Sequence, residues 1–522
     1  RGNAMTQMTG AQALWAALAG EGVDACFANP GTTELDLVRG LEARDEIRCV
    51  VGLQENVCTG GADGYGRMLG RPAATLLHLG PGFANGIANL HNARRARTPI
   101  INVIGDHTSW HLPYDAPRTS DIESLAKPVS GWVHRIESTQ DVAFAALESV
   151  RQSGAEGGRG ATLIFPADFQ AEQVAPGSAP LSVAATAGST GAAFDVAASV
   201  ARLRAGRRIV FLLGGGGALS GLGVRAQRAT ARLCAALGAQ AFAETFPSRS
   251  ERGQGLPAFD RLPYFPEPAR AVLDPADLVV LAGALPPVTY FGYAGHPSAL
   301  VDAGRLLVIA EPGRAVAERL EQLADALGAP AFEAPAHPLP EQPTGALAPG
   351  KIAAVLAREL PERAIVSVEG GTCGYPFYAA SAAAKVHTTL TNTGGAIGQG
   401  LPVAFGAAIA CPDRRVVGLL SDGSTQYTIQ TLWSLAHEKL DVVVLIAANH
   451  QYAILRNELR RDGATLGARA EALTSLAAPC IDWVGLAESY GVPATRAQTA
   501  ELTGQLRQAF ARPGPALIEM AL

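Results

Sequence analysis

SDGSTQYTIQTLWSLAHEKLDVVVLIAANHQY, residues 421–452, follows the apolar run VVGLL at 416–420. That run predicts a buried strand. Ser421, Asp422 and Gly423 make a polar turn after it. Residues 424–440 carry helical spacing, with Tyr427, Leu432, Leu435 and Ala436 on one face. Residues 441–448 form a second apolar, β-branched run that ends at Asn449. The pattern predicts strand, crossover helix and parallel strand. A parallel pair puts both strand C-termini at one sheet edge. Asp422 and Asn449, 449 − 422 = 27 positions apart, are therefore expected to meet there. A carboxylate, an amide oxygen and the carbonyl of Gln451 suit a hard cation such as Mg2+, which fills its shell with phosphate oxygens and water. Free N–H groups at the Gly423–Ser424 turn can hold those phosphates. The alternative is an ordinary βαβ unit with a polar turn.

The other sequence features bound the class. The 522 residues suffice for two to four domains with large cores. The chain is 48% hydrophobic and 17% charged, with a formal net charge of −5, which argues against nucleic acid as a partner. The longest apolar runs are strand-sized, so no membrane span is expected. Arg1 to Ala4, before Met5, read as a remnant foreign to the fold and not as a targeting peptide. Seven scattered cysteines without a CxxC pair suggest reduced thiols in a cytoplasmic protein and no structural zinc.

Residues 174–191 are rich in Pro, Gly, Ser, Thr and Ala, and residues 329–349 hold six prolines. Cuts at these linkers predict three α/β domains with open, mainly parallel sheets, at 5–175, 190–330 and 350–522. In the first, strands at 25–28, 48–53, 73–78 and 100–105 alternate with helices. Polar and glycine residues gather after their C-termini, the binding edge of such sheets. The third repeats the plan. TLLHLGPG from Thr75 is weakly similar to TLTNTGG from Thr389, which suggests two related folds in one chain. The middle domain has a strand at 208–213 followed by glycines 214–217, a weak nucleotide signal without a persuasive acidic partner.

The Asp-Gly turn, its spacing to Asn449 and Tyr452 soon after resemble the thiamine diphosphate motif of the 2-oxo acid decarboxylase and acetolactate synthase superfamily, and the chain looks closest to members like benzoylformate decarboxylase. Ser421 stands where the motif has Gly, and Ala448 where it has the first of two Asn. LQEN at 53–56, with Glu55 seven positions before the start of ADGYGR at 62–67, resembles the superfamily's catalytic Glu segment, with Gln54 in place of its His. The resemblance implies thiamine diphosphate and Mg2+ as cofactors. Asp422, Asn449 and Gln451 would be the metal ligands. Gly371, Thr372, Gly423, Ser424, Tyr427, Asn449 and Tyr452 would lie around the diphosphate. The backbone of Gly395 would accept the 4′-amino group, and Ile397 would prop the cofactor in a bent shape. Glu55 would hydrogen-bond the pyrimidine N1′ and favour the imino tautomer that removes the C2 proton. Taken alone, Glu55 also suits a helix N-terminus through the helix dipole.

On the substrate side, NPGTTE at 29–34 places Thr32 on a substrate-binding Ser of the benzoylformate decarboxylase-like members, and LHLGPG at 77–82 places His78 on their catalytic His. A second His of that family is missing, with Tyr290 or Phe291 in its stead. His107 and His111 follow a strand and could reach the site. The resemblance implies decarboxylation of a 2-oxo acid, with the resulting enamine protonated to an aldehyde. The alternatives are an acetolactate synthase-like carboligase and a non-catalytic or regulatory subunit that binds the cofactor. FAD is not expected. The superfamily places its cofactor between two subunits, so a homodimer or homotetramer is expected.

Overall fold

The computed structural model describes residues 7–174, 194–216, 220–313 and 315–522. The remnant 1–4, the linker from 175 onward, Gly217 and the first positions of the first two predicted domains lie outside the described residues. The chain divides into two compact units, Arg1–Ala192 with Gly394–Ala396, and Ala193–Thr393 with Ile397–Leu522.

Among the described residues the strands form three sheets. In the first unit these are β1 (Ala25–Asn29), β2 (Arg48–Val51), β3 (Ala73–His78), β4 (Ile100–Asp106), β5 (Trp132–Arg135) and β6 (Gly160–Pro166). Every pairing is parallel and the order is β2-β1-β3-β4-β6-β5. The helix Gly10–Gly20 starts at a Thr9–Gln12 capping box and buries Leu14, Trp15 and Leu18 against Leu76, Ile101, Val103 and Phe165.

The second unit follows with β7 (Ile209–Leu213), β8 (Gln240–Ala243), β9 (Arg249–Arg252), β10 (Asp260–Arg261), β11 (Leu278–Ala282) and β12 (Leu306–Ala310). Its last strands are β13 (Ile365–Val368), β14 (His387–Thr391), β15 (Val416–Ser421), β16 (Val442–Ala448), β17 (Ala494–Ala497) and β18 (Ala516–Ala521). One sheet is parallel, in the order β10-β8-β7-β11-β12. The other runs β17-β18-β16-β15-β13-β14-β9, and only β9 is antiparallel. The seven residues of β16 are all buried, as expected of a parallel strand covered on both faces.

Read from β14 to β17, that sheet has the order of the first sheet strand for strand. The repeat inferred from the sequence is present, but its motifs were paired wrongly. His78 ends β3, whose counterpart is β15, not β14. Two short Gly turns after apolar runs look alike wherever they fall, so composition alone could not set the register.

The predicted helix 424–440 is broken into Asp422–Thr425, a 3-10 turn at Gln426–Thr428, and Thr431–His437. The threonines explain the break. Thr425 Oγ1 donates to the Ser421 carbonyl, Thr431 Oγ1 to that of Thr428, and Thr428 Oγ1 to that of Gly398. Back-bonding, β-branched residues interrupt a helix.

His387 gives the fold an acid-sensitive point. Its ring is fully buried in β14 beside Phe377, and burial pulls its pKa down to about 4. The unfolded chain binds this proton near the ordinary pKa of about 6.5, so stability is lost as pH falls from there through the folded value. The loss reaches up to about 3 kcal/mol. Urea midpoints between pH 7 and 4.5 should fall less in His387→Phe than in the natural chain; equal slopes would refute this.

Candidate active site

An open parallel sheet binds ligands beyond its strand C-termini, where the strand order reverses. In the first sheet that point lies between β1 and β3. Glu34, just after β1, is completely buried. Its carboxylate accepts from the N–H of Gly31 at 2.8 Å and from Thr33 Oγ1 at 2.8 Å, and its Oε2 lies 2.8 Å from Nδ1 of His78. Arg118 Nη1 stands 3.1 Å from Nε2 of the same ring. A guanidinium only donates, so Nε2 carries the lone pair and Nδ1 the proton given to Glu34. A Cβ on Gly105 would lie 2.1 Å from Glu34 Oε1, so the carboxylate fits only because β4 carries glycine there.

Glu55 opens the helix Glu55–Leu69 and is half-buried, and its Oε2 accepts from Asn85 Nδ2 at 3.1 Å. A Cβ on Gly82 would lie 3.3 Å from His78 Cβ and 3.4 Å from Glu55 Oε1. His78 and Glu55 therefore flank one turn of the helix Leu79–Ala96. Leu79, directly after His78, is held at φ 49°, a left-handed conformation that costs a branched residue free energy. Thr32 is exposed, and it is Thr33 that reaches His78, at 3.2 Å. His107 and His111 stack edge to face on each other. Gly395 lies in the short segment that packs with this unit, where His91 Nε2 is 3.0 Å from the Gly394 carbonyl and Asn92 Nδ2 donates to that of Ala396.

In the second unit the reversal lies between β13 and β15. β15 and β16 pair in parallel with Ser421 opposite Ala447, so Asp422 and Asn449 share one edge. Asp422 is buried, accepting from the N–H of Gly423 at 2.8 Å and of His450 at 2.7 Å. Burial raises its carboxyl above the usual range, although both amides pull the other way. Asn449 Nδ2 donates to Thr372 Oγ1 at 3.3 Å, and its Oδ1 accepts from the N–H of Gln451. The bridge from Gln451 to Ser475 uses the His450 carbonyl and the Tyr452 N–H, which leaves the Gln451 carbonyl outside it. His450 sits at φ 54°.

Glycine makes the turn possible. At φ 109°, Gly370 presses on Ser421, and a Cβ there would lie 1.9 Å from Ser421 Oγ. The serine that replaces the motif's Gly is thus accommodated. A Cβ on Gly423 would lie 2.6 Å from the Tyr452 ring. Gly371 and Thr372 open the helix Gly371–Ala380, and Ser424 lies buried in the turn. Tyr427 is exposed and packs on Gly398, next to half-buried Ile397. Glu369, just after β13, is buried and accepts from the N–H groups of Gly398, Gln399 and Gly400 at 2.7–2.9 Å. Among the described residues no three His, Cys, Asp or Glu cluster as a metal site. Asp422 and Asn449 bring one carboxylate and one amide to this edge.

The thiamine pyrophosphate enzyme N-terminal TPP binding domain matches residues 8–125 and the C-terminal TPP binding domain residues 369–520. A Mycobacterium tuberculosis protein named "Putative acetolactate synthase large subunit IlvX" is 49% identical over 99% of both chains. The chain is a thiamine pyrophosphate enzyme. It belongs with the 2-oxo acid decarboxylases and acetolactate synthases. Benzoylformate decarboxylase of Pseudomonas aeruginosa is 29% identical to this thiamine pyrophosphate enzyme over 96% of each chain. The structure of a thiamine diphosphate-dependent 4-hydroxybenzoylformate decarboxylase from Rhodococcus jostii superposes with a TM-score of 0.84 at 26% identity, covering 98% of this chain and 99% of the other. The residues fit the family's cofactor: a buried carboxylate that is short of positive charge and a glycine turn at a helix start are what a cation-bound diphosphate requires.

Proposed function

We propose that the chain decarboxylates a 2-oxo acid to an aldehyde and CO2, with thiamine diphosphate and Mg2+. The observation that carries this reading is the His78–Glu34 pair flanking the same turn as Glu55. When bound, the cofactor supplies a nucleophilic carbon and an electron sink for the C–C bond that breaks. Asp422, Asn449 and the Gln451 carbonyl would hold Mg2+. Gly371, Thr372, Gly423, Ser424, Tyr427 and Tyr452 would surround the diphosphate. Gly395, Ile397 and Glu55 would hold the ring end, Glu55 by sharing a proton with a ring nitrogen. His78 Nε2 carries the lone pair that Arg118 faces, so once substrate displaces that contact it can take a proton and return it; Thr33 borders the ring, and Thr32 would contact the substrate. The division into domains 5–175, 190–330 and 350–522 belongs to the same reading. The test is CO2 release from a panel of straight, branched and aromatic 2-oxo acids. Tight cofactor binding without release from any of them would overturn it.

Carboligation is the second reading, favoured by the name of the 49%-identical relative. Acyloin instead of aldehyde among the products would establish it.

Glu34→Gln should lower the rate about ten- to a hundredfold, because an amide can donate to Nδ1 and reverse the tautomer. An unchanged rate would remove His78 from the proton path. We also propose a homodimer or homotetramer, in the cytoplasm, where seven free thiols stay reduced. A monomer in sedimentation equilibrium that still turns over would refute the oligomer.

A further inference from the structure

Arg261 ends β10, an edge strand of its sheet. Its guanidinium lies 4.9 Å from the ring centre of Tyr375 and 4.5 Å from that of Tyr378. Nη1 reaches the Thr245 carbonyl at 3.4 Å, a long contact, and Nε is buried with no partner. Among the described residues no carboxylate pairs with it. Burial without a counter-charge holds this guanidinium below its usual range.

Arg252 shows what a structural arginine looks like in the same place. It stacks on the same Tyr378 ring at 3.9 Å. Its Nε donates to Ser381 Oγ, Nη1 to the Phe259 carbonyl and Nη2 to the Tyr378 carbonyl. The ring is therefore already held. Arg261 adds a desolvated positive charge whose buried Nε has no partner, and such a charge costs stability unless something anionic meets it. A guanidinium fork fits a carboxylate in bidentate geometry.

The surroundings define the rest of the ligand. Tyr375 and Tyr290 are 44% and 45% exposed, so a ring wall opens to solvent beside the charge. Tyr290 packs on Phe246 at 5.2 Å and on Tyr264 at 5.0 Å, which fixes that wall. A Cβ on Gly371 would lie 3.1 Å from the Tyr375 ring, so the wall reaches the helix start assigned to the diphosphate.

We propose that Arg261, Tyr375 and Tyr290 form a subsite for a carboxylate carried on a flat, apolar body, the end of the substrate remote from its reacting 2-oxo acid group. The placement on the substrate rests on the decarboxylase reading; the carboxylate subsite does not. The test is a calorimetric titration of the chain, loaded with thiamine diphosphate and Mg2+, with benzoate and with its neutral counterpart benzamide. Benzoate should bind about tenfold more tightly, Arg261→Gln should erase the difference, and Arg261→Lys should keep part of it. Tyr375→Ala should weaken both probes and leave the preference. Equal binding of the two probes, or a preference that survives Arg261→Gln, overturns the subsite. If Arg261→Gln fails to fold, the Lys and Tyr375 variants decide in the same way. Benzoate should also raise the KM of a 2-oxo acid with kcat unchanged; an unchanged KM overturns the placement on the substrate. Absence of CO2 release from every 2-oxo acid would overturn the decarboxylase reading and leave the titration decisive for the subsite.

Discussion

Glu55→Gln is expected to cut CO2 release about a hundred- to ten-thousandfold while the diphosphate end of the cofactor still binds. The size follows from the role. A carboxyl that shares a proton with a ring nitrogen changes the acidity of the reacting carbon, and an amide of equal shape cannot. The variant should fold normally. Asn85 Nδ2 donates to one carboxylate oxygen, and glutamine keeps an oxygen that can accept it. The Gln54 cap on the Asn56 N–H is untouched. Residual release above about a tenth of the natural rate would leave Glu55 as a helix N-terminal residue only.

Asp422→Asn is expected to weaken Mg2+-dependent cofactor binding by about a hundredfold or more, read by titration and by loss of the cofactor's thermal shift. The stability of the cofactor-free chain should move little, because two effects oppose. The substitution removes a buried charge that has no close cation; His450 Nδ1, at 3.9 Å, is the nearest paired group. It also turns one acceptor into a donor against the N–H of Gly423 or His450. Each effect is on the order of 1–3 kcal/mol. Burial raises the Asp422 pKa, so cation affinity is complete above that raised value and fades as pH falls through it, earlier than for an ordinary carboxylate. Unchanged Mg2+ dependence would move the metal away from β15.

The strand ends could be read because their signals are local. The runs before Asp422 and Asn449 are apolar and short, and parallel pairing does the rest. The role of Glu55 rests on the resemblance that ADGYGR carries, while its place at a helix start, after its strand, was legible. Glu34 was not. In sequence it is one acid in a Pro-Gly-Thr-Thr turn, and its burial comes from Gly105, on a strand 71 positions later (105 − 34). Glu369 was invisible for the same reason, since the amides it gathers begin at Gly398. β9 was missed because RSER at 249–252 has no apolar alternation. The charged end of Arg252 is used by the Tyr378 carbonyl and the Ser381 hydroxyl of the next segment as well as by the nearby Phe259 carbonyl, a partnership no local rule supplies. Arg261 shows the converse: its neighbours in sequence look ordinary, and only the packing exposes a charge without a partner.

β9 also decides how this chain can be cut. It lies among the middle strands in sequence, yet it hydrogen-bonds along β14 from Arg249–Leu390 to Arg252–His387. A fragment that begins after the proline-rich stretch 329–349 would carry β14 with a bare row of amides and carbonyls, the kind of sheet margin on which chains polymerise. Excised catalytic fragments should therefore precipitate unless a strand equivalent to β9 is supplied, as a fused segment or a separate peptide. A fragment from residue 350 onward that stays monodisperse by light scattering would show that the margin is protected in some other way.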